Sequence, residues 1–483
     1  MIFNSLTFAI FLPTVFILYW YVFNKSIRLQ NFFLLVVSYI FYGWWDWRFL
    51  SLLFFSSMVD YTVGLLLQKN NKQTHRNILL GISLITNLGL LGFFKYYNFF
   101  VDSFIEAGAQ VGMTFHKSSL NIILPVGISF YTFQTLSYAI DVYKRQISTT
   151  KDLISFLAFV SFFPQLVAGP IERASNLLPQ FERKRFFDSE KAKDGLRQIL
   201  WGLIKKVVIA DTLAVQVDLI FDAPTYTSTP GITLIIGAIL FAFQIYCDFS
   251  GYSDIGIGTA RLFGFSLMRN FAYPFFSRNI GEFWQRWHIS LSTWFRDYIF
   301  IPLGGSKVSK TKRVRNILAT FVLSGFWHGA NWTYIIWGLL NGLYYLPQML
   351  TKGKGKYSEI VAANQKFPSI KEFFQMILTF SLVVLALIFF RSDSIRRFFN
   401  FITNIVHNLL LKPEILQTWL QSIPLILIIL LISIEWVQRR KQHVLQIETL
   451  HKYSRWTIYI VLLVVFVYLG QFKSDQQFIY FQF

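Results

Sequence analysis

Phe321-Val-Leu-Ser-Gly-Phe-Trp-His-Gly-Ala-Asn-Trp-Thr-Tyr-Ile-Ile-Trp-Gly-Leu-Leu340 is an apolar run holding one side chain that titrates near neutral pH, His328. An ionisable group at membrane depth costs about 2.5–3.5 kcal/mol even on insertion scales, so its presence there points to function. Imidazole suits removal of a proton from a hydroxyl. Trp327 and Gly329 flank the histidine, and Asn331 follows three residues on, about one helical turn away. A lone histidine is ordinarily a core side chain satisfied by a backbone carbonyl. Here its surroundings, taken with the longer motifs described below, favour chemistry.

Outward from this run the chain keeps the same character. Its 483 residues are 54% hydrophobic and 19% aromatic but only 14% charged, where a soluble domain carries about a quarter. Candidate spans fall at 5–23, 31–45, 49–67, 78–99, 121–139, 153–170, 197–215, 231–249, 317–328, 332–350, 373–391, 423–437 and 456–471. A full crossing needs about 20 apolar residues, so the shorter runs are tilted, broken or re-entrant and about 10–12 crossings are expected. Met1 to Phe23 lacks a basic start and a small-residue cleavage site, and reads as a retained first membrane helix. The hydrophilic stretches 171–196 and 352–372 are too short to be domains. The expected fold is therefore all-α: one polytopic membrane domain over 1–483.

The net charge of +20 is not a nucleic-acid footprint. Its basic residues gather in short segments between apolar runs: Arg183–Arg185, Lys310–Arg315, Lys352–Lys356 and Arg439–Lys441. Membrane proteins hold loops against anionic inner-leaflet lipid in this way. Because successive loops all carry Lys and Arg, the charges do not define a topology. The lone cysteine, Cys247, reads as packing.

The stretch from Tyr246 to Gly305 is too polar to cross lipid and too aromatic for a solvated linker. Its opening, Tyr246-Cys-Asp-Phe-Ser-Gly-Tyr-Ser-Asp254, suits irregular backbone lining a cavity, with Asp248 and Asp254 as polar lining groups. Farther on, Trp284, Trp287, His288, Leu291, Trp294, Phe295 and Tyr298 recur at spacings of three and four. That pattern predicts an interfacial amphipathic helix over 281–298, lying along the membrane because Glu282, Arg286, Arg296 and Asp297 resist crossing. A simple surface helix would place a hydrocarbon where His288 stands. His75, His116, His407, His443 and His451 adjoin charged or polar stretches and read as solvated.

No GxSxG elbow, HExxH, GxxxxGK[ST] loop or paired CxxC occurs. Two histidines forty residues apart with no third ligand nearby make a poor metal site. What fits is direct acyl transfer: the acceptor hydroxyl is the nucleophile, histidine takes its proton, and a thioester supplies the leaving group. An oxyanion would need donors, and Asn331, the Trp327 indole N–H and backbone N–H groups near Gly329 are the nearest. A transporter is the competing class, since broken helices around midplane polar groups also build carriers. It would show inverted repeats, which are not found. An inactive scaffold is the third reading, disfavoured by the intact histidines.

Four motifs carry a resemblance. They are Phe326-Trp-His-Gly329; Gln285-Arg-Trp-His-Ile-Ser-Leu-Ser-Thr-Trp-Phe-Arg-Asp-Tyr298 with Ile301-Pro-Leu-Gly-Gly305; Leu124-Pro-Val-Gly-Ile-Ser-Phe-Tyr-Thr-Phe-Gln-Thr-Leu-Ser-Tyr-Ala-Ile-Asp-Val-Tyr143; and Phe162-Phe-Pro-Gln-Leu-Val-Ala-Gly-Pro-Ile171. Together they resemble the membrane-bound O-acyltransferases, in order and over nearly the whole chain. Within that family the chain is most similar to the bacterial alginate O-acetyltransferase branch. Its length and its aromatic Phe478-Ile-Tyr-Phe481 set it apart from the shorter D-alanyl transfer proteins of teichoic acid modification. The resemblance implies a helical membrane fold around a central tunnel, with His328 catalytic and His288 a second polar residue on the same cavity. It also implies a cytoplasmic acyl donor, acetyl-CoA, and delivery towards an exported polysaccharide from the bacterial inner membrane. A periplasmic or extracellular acetyl-transfer partner is implied as well. Alginate itself is not implied, because no motif names the sugar. Arg173, next to Glu172, and Arg296 with Asp297 are candidate contacts for donor phosphates or lipid heads, but both read better as structural ion pairs.

Overall fold

Apolar side chains that point outwards show which solvent these helices require. The helix Lys452–Leu469 buries none of its side chains against protein, and Ile429, Leu430, Val461 and Val467 are each more than half exposed. Only hydrocarbon accepts such a surface together with fully hydrogen-bonded helical backbone. The computed structural model describes residues 1–115, 120, 122–167, 169–350, 360–411, 423–472 and 478–479, and all regular secondary structure among them is helical. Among the described residues, five helices are long and apolar enough to cross a membrane: Trp47–Lys69, Gln73–Gln110, Gly231–Leu262, Ile370–Arg391 and Lys452–Leu469. Shorter apolar helices run over Leu6–Val22, Ile27–Gly43, Leu153–Leu166 and Ile423–Gln438. The protein is a multi-pass helical membrane protein.

Two compact units are formed, one by residues 1–196 with 256–268 and the other by 197–255 with 269–483. In the first, the helix Ile128–Tyr143 is buried along almost its whole length. It is buried on every side, and Ser129, Thr132, Gln134, Thr135, Ser137 and Asp141 are buried among its apolar residues. Intramembrane polar groups are satisfied locally. Asp60 accepts from Ser83 and, at 2.8 Å, from Asn87 Nδ2. Arg76 donates to the carbonyls of Leu67, Asn70, Val142 and Tyr143, closing the C-terminal ends of two helices with one guanidinium. Both long motifs outside the histidine region, 124–143 and 162–171, lie in this unit. Glu172 follows the second. Its Oε1 accepts from the Met268 N–H and its Oε2 from Asn176 at 2.7 Å. Burial pushes its carboxyl up to about 7. Neutral donors therefore hold the carboxyl alongside the charge of the neighbouring Arg173.

In the second unit the stretch 246–254 departs from expectation. It is not irregular: the helix Gly231–Leu262 runs straight through it. Its small and acidic residues serve a helix seam. A Cβ on Gly251 would stand 2.8 Å from Gly202 O, so the two backbones meet directly. Beside that contact a π-helical turn, Ile204–Ala210, presents two lysines. Lys205 Nζ lies 2.7 Å from Asp254 Oδ2 and 2.8 Å from Ser250 Oγ. Lys206 Nζ lies 2.7 Å from both Asp211 Oδ1 and Asp248 Oδ1. Asp248 Oδ2 also accepts from the N–H of Ile479 at 2.7 Å. Paired ions of this kind are tolerable at membrane depth where single ones are not.

Of the histidines expected in solvent, His75, His407 and His451 are exposed and His116 lies outside the described residues. His443 is instead buried. It sits in a loop following Arg439, whose guanidinium is bound to the carbonyls of Val361, Ala362 and Gln365.

Candidate active site

His328 is the last residue of the helix Lys310–His328, and Gly329 leaves that helix in an extended conformation. A hairpin returns through Trp332–Leu350. The two helices approach as closely as backbone permits. A Cβ on Gly338 would lie 2.3 Å from Phe321 O, and one on Gly325 would lie 3.1 Å from Gly338 Cα and 2.2 Å from Tyr334 O. This glycine seam sets the azimuth of the imidazole. It is surrounded by Trp327 and Trp337, with ring centroids 5.0 Å away in each case, and by Phe390 at 5.4 Å. We expect Gly338→Ala to force the helices apart at a cost of about 1–3 kcal/mol. Both the melting temperature of the detergent-solubilised protein and its transfer rate should fall; an unchanged rate would show that the seam does not aim His328.

The expected continuous helix over 281–298 is absent. In its place are two short helices, Ile280–Arg286 and Ile289–Phe295, followed by a π-helical turn, Arg296–Phe300. The break falls on His288, whose backbone is left-handed at φ 43°, ψ 55°. A non-glycine residue in that region is held there by its surroundings. Of the charges expected to keep this segment at the interface, Glu282 and Arg286 are used internally. Glu282 binds Arg278 at 3.0 Å and Arg286 at 2.8 Å, while Arg278 also reaches Glu372 at 3.0 Å. Arg296 and Asp297 do pair, at 2.7 Å, near the surface.

The break brings His288 to His328, with ring centroids 6.5 Å apart. Trp327 lies 6.1 Å and Phe249 4.6 Å from the His288 ring. The two histidines therefore meet, forty positions apart in sequence, but they do not line an open aqueous chamber. His288 is fully buried and His328 is 4% exposed. Aromatic rings cover the space where water was expected. Burial alone pushes the His288 imidazole down to about 3, so it is a neutral hydrogen-bonding group at physiological pH. The unfolded chain, with a histidine near 6.5, binds the extra proton between those two values. Stability is therefore complete above pH 6.5 and falls as pH drops through the window, by up to about 1.4 kcal/mol per unit. Melting temperatures of solubilised wild type should decline from pH 6.5 to 4, and His288→Asn should flatten that slope. An identical slope in both proteins would contradict the assignment.

The remaining expected residues divide by location. Asn331 Nδ2 donates to Asp393 O at 2.8 Å and its Oδ1 accepts from Thr333 N–H at 3.0 Å, so its amide shapes the hairpin turn. Asp248 and Asp254 belong to the lysine-paired seam, with Phe249 of the same helix between that seam and His288. Phe249, Phe390 and Trp337 carried no sequence signal, being ordinary aromatic residues in a chain with 54 Phe and 14 Trp. A cavity of about 400 Å³ opens beside Trp284, Phe321, Ser324 and Tyr345. Trp284 stands 5.8 Å from Trp337, which contacts His328 on its other side.

The model of the MBOAT, membrane-bound O-acyltransferase family matches residues 39–389. This chain belongs to that family. The acyltransferase is 40% identical over 398 residues to the probable alginate O-acetylase AlgI of Pseudomonas syringae pv. tomato, covering 82% of this chain and 73% of that protein. It is 36% identical to the peptidoglycan O-acetyltransferase of Helicobacter pylori, over 82% of this chain and 78% of that one. To the teichoic acid D-alanyltransferase of Bacillus subtilis it is 31% identical, over 47% and 60% respectively. As an acyltransferase it uses an acyl donor, and both histidines lie inside the matched region.

Proposed function

We propose that this acyltransferase moves an acetyl group from a cytoplasmic thioester, acetyl-CoA, towards hydroxyls of an exported polysaccharide at the bacterial inner membrane, with His328 as general base. The observation that carries this reading is the enclosure of two histidines, 6.5 Å apart, by aromatic rings at a helix terminus. Imidazole there accepts the proton of the acceptor hydroxyl as its oxygen attacks the thioester carbonyl. Collapse of the tetrahedral intermediate breaks the C–S bond and expels the thiolate, which takes the proton from the His328 imidazolium. The helix ending at His328 directs the negative end of its dipole at the ring and favours the transient imidazolium. His288, neutral, is placed to hold the acceptor or the oxyanion through a ring N–H, with the Trp327 indole N–H as a second donor. Exclusion of water strengthens each of these interactions and protects the thioester from hydrolysis.

Donor access is supported by the cavity beside Trp284, and by Lys307, Lys310, Lys312, Arg313 and Arg315, which lead into the helix of His328. Such a basic run would attract the phosphates of a nucleotide thioester. The names of the acetyltransferase relatives favour acetyl over D-alanyl transfer. An acetyl-transfer partner outside the membrane would complete delivery to the polymer. The test supplies acetyl-CoA, labelled in the acetyl group, to membrane vesicles containing the full chain. Alkali-labile label on polymer is expected; label passing only from a D-alanyl thioester would overturn the acetyl assignment.

A further inference from the structure

The short helix Ile289–Phe295 begins in an unusual way. Its N-cap position is occupied by His288, whose side chain makes no capping hydrogen bond. An N-cap side chain normally serves the exposed N–H groups of the first turn. Here that service comes from eighteen residues upstream. Asn270, fully buried, accepts the Ile289 N–H on its backbone oxygen at 2.9 Å. Its side-chain Oδ1 accepts the Ser290 N–H at 3.3 Å and the Ser290 hydroxyl at 2.9 Å. Its Nδ2 donates to Ser253 Oγ at 3.1 Å, on the helix that also carries Phe249. Two residues on, Ala272 N–H donates to Arg286 O at 2.9 Å and Arg286 returns a bond to Ala272 O at 3.3 Å. The segment 270–272 thus brackets the break at both ends.

We infer that Asn270 is a positioning residue for His288: it caps the helix from outside, so that the imidazole is released from capping and turned towards His328. A left-handed histidine needs neighbours that over-determine it, and three acceptances by one residue supply them. The same residue ties the break to the helix whose Phe249 packs against the His288 ring. The inference rests on the assignment of His288 to the active site.

The test is a double-mutant cycle in cells making the full-length protein, read as the initial rate of polymer O-acetylation after induction, with melting temperature measured alongside. Misplacing a reacting group by about 1 Å costs on the order of a hundredfold, so Asn270→Ala should lower the rate by about ten- to a hundredfold. Asn270→Asp, which keeps the accepting oxygen, should recover most of it. In a His288→Ala background the same Asn270→Ala change should cost less than about twofold, because the group it positions is gone. Ser290→Ala removes one of the bonds from the other side and should show a smaller loss with the same collapse. It carries the test if Asn270→Ala fails to accumulate. Equal losses in both backgrounds would make Asn270 purely structural and overturn the inference while leaving His288 in place. No rate loss in His288→Ala alone would overturn both.

Discussion

His328→Ala is expected to reduce polymer O-acetylation to background while the protein still accumulates in the membrane at its normal level. General-base action is worth about 10²–10⁴ in rate, and His328 stands at the centre of a ring of aromatic side chains with His288 beside it. The substitution takes a polar group out of an apolar segment, so insertion is not harmed. Two measurements are needed together: ester content of the polymer released by mild alkali, and monodisperse solubilised protein with a near-normal melting temperature. Retained acetylation in a well-expressed variant would remove His328 from the chemistry. Loss of both would indicate a packing role for the imidazole.

The second large effect lies away from the chemistry. Lys206→Ala should cost about 3–5 kcal/mol, because Asp211 and Asp248 would be left facing one another without their shared cation. Both carboxylates and the ammonium are almost wholly buried. Lys205 should be more tolerant, since its partner Asp254 keeps some contact with the surface. Neutralising the whole group, as Lys206→Met with Asp211→Asn and Asp248→Asn, should recover much of the loss: the charges go together and an Asn oxygen still accepts the Ile479 N–H. Melting temperatures of the solubilised variants check this. A Lys206→Ala protein as stable as wild type would show that the seam holds without its ions.

Much of this was legible in the sequence. Polytopic helical architecture followed from uncharged runs of bilayer length; two imidazoles stood where hydrocarbon was due, and the resemblance placed them on one cavity, but the space around them is closed by aromatic rings. The errors share a cause. Between 246 and 254, Ser, Gly and Asp suggest irregular backbone because helix propensity is a local property. The helix is sustained by Lys205, Lys206 and Gly202, forty to fifty residues earlier. Over 281–298 the spacing of aromatic residues was genuine, but periodicity is blind to a single residue entering the left-handed region. What puts His288 there is Asn270, invisible without coordinates. His443 reads as solvated from its charged neighbours, yet the burial of a loop is decided by where its anchor, Arg439, is fixed.

The left-handed backbone at His288 also governs which variants can arise there by drift. A histidine codon lies one nucleotide change from those of Tyr, Asn, Asp, Arg, Leu, Pro and Gln. Of these, Asn and Asp accept positive φ readily, whereas Pro cannot reach it and Leu resists it. Mutation at this site is thus filtered before any question of activity is asked. Asn and Asp, which pass that filter most easily, would keep a short polar group at the break, so the backbone itself favours a hydrogen-bonding side chain there.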